Sequence, residues 1–225
     1  MSGPVARSED LARLYAVRFS DAERARKERL WQVLCRGFLQ RYVPADATVL
    51  DIGAGQCEFV NHIAARRRLA LDLSDDVRRF AAPGVEVVQA ASTDMRPLDA
   101  DSVDVAFASN FFEHLPTREA LLATLAEVRR VLRRGGRLLV IQPNIRFVGG
   151  AYWDFIDHTL PLTERSLVEA LEMTGLEPIE VRARFLPFTT KSALPQHPFL
   201  VWLYLKVPLA QRLLGRQSWI VAVKR

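Results

Sequence analysis

Residues 49–60, VLDIGAGQCEFV, constrain this chain more than any other stretch. An apolar run ends in Asp51, Gly53 and Gly55 follow two apart, and apolar residues resume at Phe59. Glycines placed so allow positive φ and let a backbone come close to a ligand. In a doubly wound sheet, ligands bind where strands end at their carboxyl termini. The pattern therefore predicts a buried strand over Thr48–Asp51, a tight turn that meets a ligand, and a helix over Phe59–Arg67.

The rest of the chain repeats that alternation. Residues 1–10 read as a loose tail, and Leu11–Val43 as helical, with apolar Leu30, Trp31, Leu34 and Phe38 at helical spacing. Ser20 is placed to cap a helix from Asp21, and Pro44 ends the region. Further strands are expected at Leu69–Leu73, Val85–Gln89, Val103–Ala108 and Arg137–Gln142. Helices are expected at Asp75–Phe80 and Thr117–Leu132, the second with Leu121, Leu125, Val128 and Leu132 on one face. Thr163 caps another helix that ends near Gly175, and Glu180–Phe185 and Trp219–Lys224 read as final strands. Strands alternating with helices imply a parallel sheet covered on both faces. The organisation expected is an N-terminal helical extension, 1–44, and one α/β domain, 45–225, with an insertion at 186–217.

At 225 residues, 49% hydrophobic and 25% charged, the chain can bury a core without disulfides. Its net charge of +5 is scattered. The runs Arg66, Arg67, Arg68 and Arg129, Arg130, Arg133, Arg134 read as solvated helix faces and helix C-termini, or else as a surface for phosphates. Cys35 and Cys57 show no disulfide or metal-ligand spacing, and the four histidines are far apart in sequence, so no metal is expected. The polar start MSGPVARSED lacks the apolar core of a signal peptide, so a cytoplasmic protein is expected.

The second strand sharpens the ligand. It ends in Asp72, where a carboxylate can accept hydrogen bonds from two ribose hydroxyls, as NAD or S-adenosylmethionine would require. A dinucleotide turn wants Gly-x-Gly-x-x-Gly to seat a pyrophosphate on a helix N-terminus. Here the sixth place holds Glu58, and Asp51 precedes the glycines. Two acids suit a cofactor carrying a sulfonium and an ammonium group.

VLDIGAG, then ALDLS, then DSVDVAFASNFFEHL, then EVRRVLRRGGRLLVIQPN together resemble the successive motifs of class I S-adenosylmethionine-dependent methyltransferases, over roughly residues 45–180. The resemblance implies a Rossmann-like, seven-stranded, mostly parallel sheet with one antiparallel strand near the end. It implies that Asp51, Gly53, Ala54 and Gly55 border the methionine part of the cofactor, and that Asp72 with Leu73 holds the ribose. Asn110 and Phe111 would lie along the cofactor. The chain departs from the family at Cys57, where a third glycine is common, and at Ala90-Ala91, where the family has Gly-Asp against adenine. Ser92 or a backbone carbonyl is the expected substitute, and Asp94 comes three positions late.

Methyl transfer is an in-line displacement, so the protein mainly aligns acceptor and methyl. A hydroxyl acceptor also needs somewhere for its proton. His114 follows the fourth strand, and Asp157 and His158 follow the fifth; these are the expected catalytic residues. Tyr152, Trp153 and Asp154 make that last loop aromatic and acidic, and are expected to bind the acceptor. The insertion holds an apolar run from Phe199 to Leu205, Pro208, and apolar Leu209, Leu213 and Leu214. It packs on the core, lies in a membrane interface over 199–214, or forms a homodimer contact. The whole pattern resembles bacterial polysaccharide-cluster members of the methyltransferase-11/23-like type. A small-molecule or lipid-linked saccharide acceptor is the expected partner, at the inner face of a membrane, without nucleic acid. The alternatives are an NAD-dependent oxidoreductase, a methyltransferase of RNA or protein, and a degenerate domain that serves as a partner.

Overall fold

The computed structural model describes residues 21–187 and 197–225. Ser20 and the rest of the expected helical region before Asp21 lie outside the described residues. Seven strands form one sheet: β1 (Thr48–Ile52), β2 (Arg67–Asp72), β3 (Val85–Gln89), β4 (Val103–Ser109), β5 (Leu132–Pro143), β6 (Leu176–Arg182) and β7 (Gln217–Lys224). Their order is β3-β2-β1-β4-β5-β7-β6. β7 runs antiparallel to both its neighbours, and every other pairing is parallel. This is the Rossmann-like sheet that the sequence led us to expect.

The longer helices are α1 (Asp21–Gly37), α2 (Arg118–Val131), α3 (Glu164–Met173), α4 (Pro198–Lys206) and α5 (Pro208–Leu214), beside single turns such as Ile145–Val148. The period-two alternation of the strands sends side chains to two faces. Leu50, Ile52, Ala106, Leu138 and Val140 meet Leu121, Leu125 and Val128 of α2 and Leu167 and Leu171 of α3. Val49, Val105, Phe107, Leu139 and Trp219 meet Leu34 and Cys35 of α1 and Phe38 just after it, together with Leu205 of α4. The N-terminal helical region thus supplies part of one core layer. Phe38 lies 4.4 Å from Phe185 and 5.0 Å from Trp219, ring to ring.

Three expected elements differ. Residues 59–63 form turns, with Ile63 N–H donating to Phe59 O at 3.0 Å, where a helix to Arg67 was expected. The chain must already enter β2 at Arg67, paired with Thr48, so no length remains for a regular helix. β5 begins at Leu132, because Gly135 (φ +77°) carries an irregular excursion that leaves Leu132 beside Val103 and Arg137 beside Val105. β6 begins at Leu176, directly after α3. Thr163 does cap α3, in a reciprocal box with Ser166. Asp104, read from sequence as structural, accepts from Thr48 N at 2.7 Å and pairs with Arg133 at 2.8 Å, joining β4 to its surroundings.

The insertion folds back on the molecule as two short helices, each with proline in its first turn, where the missing N–H costs nothing. α4 packs on α1, with Leu205 and Trp202 beside Gly37. Buried Gln211 of α5 donates to the carbonyls of Tyr204 and Leu205 at 3.3 and 3.2 Å, closing the end of α4. The core reading of the insertion holds for Leu205 and Gln211, while its outer face stays open.

Candidate active site

β1 and β4 sit side by side where the strand order reverses, and this places the crevice of the fold at their carboxyl ends. The turn after β1 is built from left-handed residues: Gly53 at φ +65°, Gly55 at +50° and Cys57 at +59°. Gly53 is required twice over, since a Cβ there would lie 2.2 Å from Cδ2 of Phe111. The turn is tied to β2. Gly53 and Ala54 donate to Leu71 O at 2.8 and 3.1 Å, and Gly55 N–H donates to Asp72 Oδ2 at 2.9 Å. Ser74 N–H donates to the other Asp72 oxygen at 2.9 Å. One carboxylate therefore fixes the glycine turn against the end of the neighbouring strand, and each oxygen retains a lone pair.

The turn is acidic. Asp51 is 4% exposed, and burial, followed by the charges of Glu58 and Asp72, pushes its carboxyl well above the usual range. Glu58 faces α1 and pairs with Lys27 at 2.5 Å. Cys57, in the left-handed place, is fully buried, and its thiol is pushed up to about 12 by burial and then by Asp51. Leu73 is 44% exposed at the end of β2. Ser92 turns inward, its hydroxyl 2.8 Å from that of Thr124 on α2, so only its main chain faces outward from β3's end. Asp94 is held by Arg96 through bonds of 2.6 and 2.7 Å.

After β4 the chain turns at Asn110, φ +49°, whose amide oxygen accepts from Gln217 at 2.6 Å. One helical turn then presents Glu113 and His114. The loop after β5 reaches this turn because its backbone is bonded to it. Thr159 and Leu160 N–H both donate to Glu113 O, at 2.8 and 3.0 Å, and Thr159 Oγ1 donates to Leu115 O at 2.7 Å. The fold so brings together His114 and His158, ring centroids 5.1 Å apart. Carbonyls only accept, so each imidazole carries its proton on Nδ1. His158 donates to Tyr152 O at 2.9 Å, and His114 to Asp157 O at 3.0 Å with the Asp157 carboxylate at 3.2 Å. Burial works against charge on His114, but Asp157 and Glu113 outweigh it and carry its pKa up to about 8. Glu113 is 1% exposed and pushed up by burial; its Oε2 accepts from Gln142 at 3.0 Å.

An acidic, glycine-built turn, with Glu58 paired to Lys27 on the α1 side, fits a positively charged cofactor with ribose hydroxyls and repels a pyrophosphate. Residues 50–140 match the family described as Methyltransferase domain. The chain carries a class I S-adenosylmethionine-dependent methyltransferase domain.

Solved structures agree on the fold of this methyltransferase. One is a chain from the complex between the Haloferax volcanii Trm112 methyltransferase activator and a methyltransferase. It has TM-score 0.66 and 18% identity, over 89% of this chain and 92% of that one. A second is a SAM-dependent methyltransferase from Archaeoglobus fulgidus, TM-score 0.62, 20% identical, over 88% and 94%. A third is geranyl diphosphate C-methyltransferase from Streptomyces coelicolor A3(2), solved with Mg2+, geranyl diphosphate and S-adenosyl-L-homocysteine. It has TM-score 0.58 and 15% identity, over 84% and 80%. No curated protein matches the sequence.

The fold brings Asp51, Gly53, Ala54, Gly55, Asp72, Asn110 and Phe111 to the carboxyl ends of β1, β2 and β4, and it brings His114 together with Asp157 and His158. Trp153 is 58% exposed and Asp154 is exposed beside it. Tyr152, expected at the acceptor surface, is instead fully buried: it donates to Leu160 O at 2.7 Å and packs 4.7 Å from His158. Its ring anchors the loop, and the ring that is open to an acceptor is Trp153. Sequence reading passed over Glu113, Gln142 and Gln217. The adjacency of Glu113 to His114 was a signal for the first; nothing local marks the two glutamines, which face the site only through strand pairing.

Proposed function

We propose that this methyltransferase O-methylates a hydroxyl of a sugar or lipid-linked saccharide presented at a membrane surface. S-adenosylmethionine supplies a methyl carbon on a positively charged sulfur, already activated for displacement. Asp51, Gly53, Ala54 and Gly55 border its methionine part, Asp72 and Leu73 its ribose, the Ser92 main chain its adenine, and Asn110 and Phe111 its flank. His158 offers an Nε2 lone pair toward the acceptor hydroxyl, and His114 offers one only once it has lost its second proton, above about pH 8, with Asp157 positioning it through Nδ1. Trp153 offers a flat apolar ring to a sugar, and Asp154 beside it accepts from sugar hydroxyls.

The observation that carries the membrane part is the outer face of α4 and α5. Phe199, Trp202, Leu203, Leu209 and Leu213 are between 43% and 66% exposed there. No acidic residue occurs between His197 and Arg216, while Lys206, Arg212 and Arg216 do. Apolar side chains bordered by cations suit an anionic lipid surface. No described helix is long and apolar enough to cross a membrane, so the contact proposed lies in the interface plane.

The test is transfer of labelled methyl from S-adenosylmethionine into a bacterial extract, followed by solvent extraction. Label in the organic phase supports a lipid-linked acceptor. Label confined to water-soluble saccharide leaves the sugar reading and removes the lipid. Label in protein or RNA overturns both.

A further inference from the structure

Glu113, His114 and His158 each offer one ligand atom, and these atoms lie within 4.8 Å of one another. We propose that this cluster is a divalent metal site of two imidazoles and one carboxylate, made for an ion of the zinc class. The ion bears on catalysis only if the acceptor binds at this cluster, as proposed above; the binding itself does not depend on that reading.

Three features of the geometry carry the proposal. First, the tautomers are right. With Nδ1–H of both histidines directed at backbone carbonyls, Nε2 is the nitrogen left for an ion, and on His114 the proton it holds when charged leaves to solvent as the metal binds. Second, each ligand has the outer partner that metal ligands characteristically have. Asp157 braces His114, the Tyr152 carbonyl braces His158, and the Gln142 amide holds the far oxygen of Glu113. His158 is also stacked on Phe155, 4.8 Å between centroids, which fixes its plane. Third, Glu113 is a buried carboxylate whose nearest cationic group is His114, at 4.0 Å. A buried acid so weakly compensated is costly, and an ion beside it removes that cost.

The spacing is close to what binding needs. Ligand atoms about 2.0–2.2 Å from a tetrahedral ion stand roughly 3.4 Å apart. Small side-chain rotations of Glu113 and His114 close the remaining gap, while the backbone is already locked by the bonds of Thr159 and Leu160 to Glu113 O. Imidazole nitrogens favour zinc, iron, copper or nickel over magnesium and calcium, which prefer all-oxygen shells. Three protein ligands leave a coordination place open. A hydroxyl that enters it loses its proton to solvent more readily, and its oxygen keeps the electron pair of the broken O–H bond.

The test uses untagged, chelator-stripped full chain, titrated with zinc chloride by calorimetry and with cobalt chloride by visible absorption. One zinc per chain, and cobalt bands of a four- or five-coordinate site, are expected. Glu113→Gln and His158→Phe should each weaken zinc at least tenfold. His158→Phe keeps the aromatic stack and serves if Glu113→Gln does not fold. Affinity for S-adenosylmethionine, measured on the same samples, should stay the same in all. No saturable zinc binding by a chain that still binds S-adenosylmethionine overturns the proposal and leaves the imidazoles as direct proton acceptors. So does unchanged zinc affinity in a folded His158→Phe chain, or magnesium bound in preference to zinc. Failure of the saccharide reading shows instead in the methyl-transfer assay, with zinc binding untouched.

Discussion

Asp51 is a carboxylate that the fold holds at a disadvantage. Its pKa is raised in the folded chain, so the stability it contributes is full below the ordinary carboxylate range of about 3.9 and is lost as pH rises through the folded value. On the proposed placement, a cationic cofactor beside it offsets that loss. Asp51→Asn should therefore leave the cofactor-free chain as stable as the native one or more so at neutral pH, with a flatter dependence of melting temperature on pH. It should also weaken S-adenosylmethionine at least tenfold by calorimetry. A lower melting temperature with unchanged affinity would give Asp51 a purely structural part. Cys57 shows a second balance. A left-handed backbone costs a side chain about 1–2 kcal/mol, yet this side chain is fully buried. Cys57→Gly should change unfolding free energy by less than about 1 kcal/mol, since strain relief offsets lost burial. Cys57→Val, β-branched in the same conformation, should cost about 2 kcal/mol or more in denaturant titration.

At the scale of elements, the proposed acceptor side rests on the loop after β5 and the α4–α5 pair. The loop hangs on Tyr152, whose hydroxyl bonds Leu160 O inside the protein. Tyr152→Phe leaves that carbonyl without its donor and should cost about 1–3 kcal/mol. The same change should raise the KM for acceptor with little effect on cofactor affinity. The α4–α5 pair is a different kind of element, anchored by Val201, Tyr204, Leu205 and Gln211 and open on its outer face. Leu209 and Leu213 are 64% and 66% exposed, so the double change Leu209→Glu and Leu213→Glu should alter stability by no more than about 0.5 kcal/mol per site. Sedimentation with anionic vesicles should fall severalfold. Retained vesicle binding would mean that this face does not meet lipid.

The whole molecule folds around a sheet covered on both sides, and α1 belongs to that cover as fully as α2 does. Phe38 sits between Phe185 and Trp219, and Trp31 meets Phe107 at 6.1 Å. Phe38→Ala should cost about 3–5 kcal/mol and lower the midpoint of a single transition, followed by tryptophan fluorescence and circular dichroism together. Two separate transitions would instead make the N-terminal region an independent unit. The sequence marked the strands, the glycine turn and Asp72 because their signals are local: a period of two, a glycine pair, an acid at a strand end. Thr163 was legible for the same reason, since a cap acts within three residues. The missing helix at 59–67 was not, because it fails on the register of β2 against β1, which no local pattern records. What the sequence determined by itself is therefore the sheet, the turn and the cofactor class. Only the tertiary structure decided that Tyr152 is an anchor, that α1 is core, and that His158 stands beside Glu113 and His114. The last of these arises from bonds of Thr159 and Leu160 to Glu113 and Leu115, more than forty positions away, where neither propensity nor periodicity has reach.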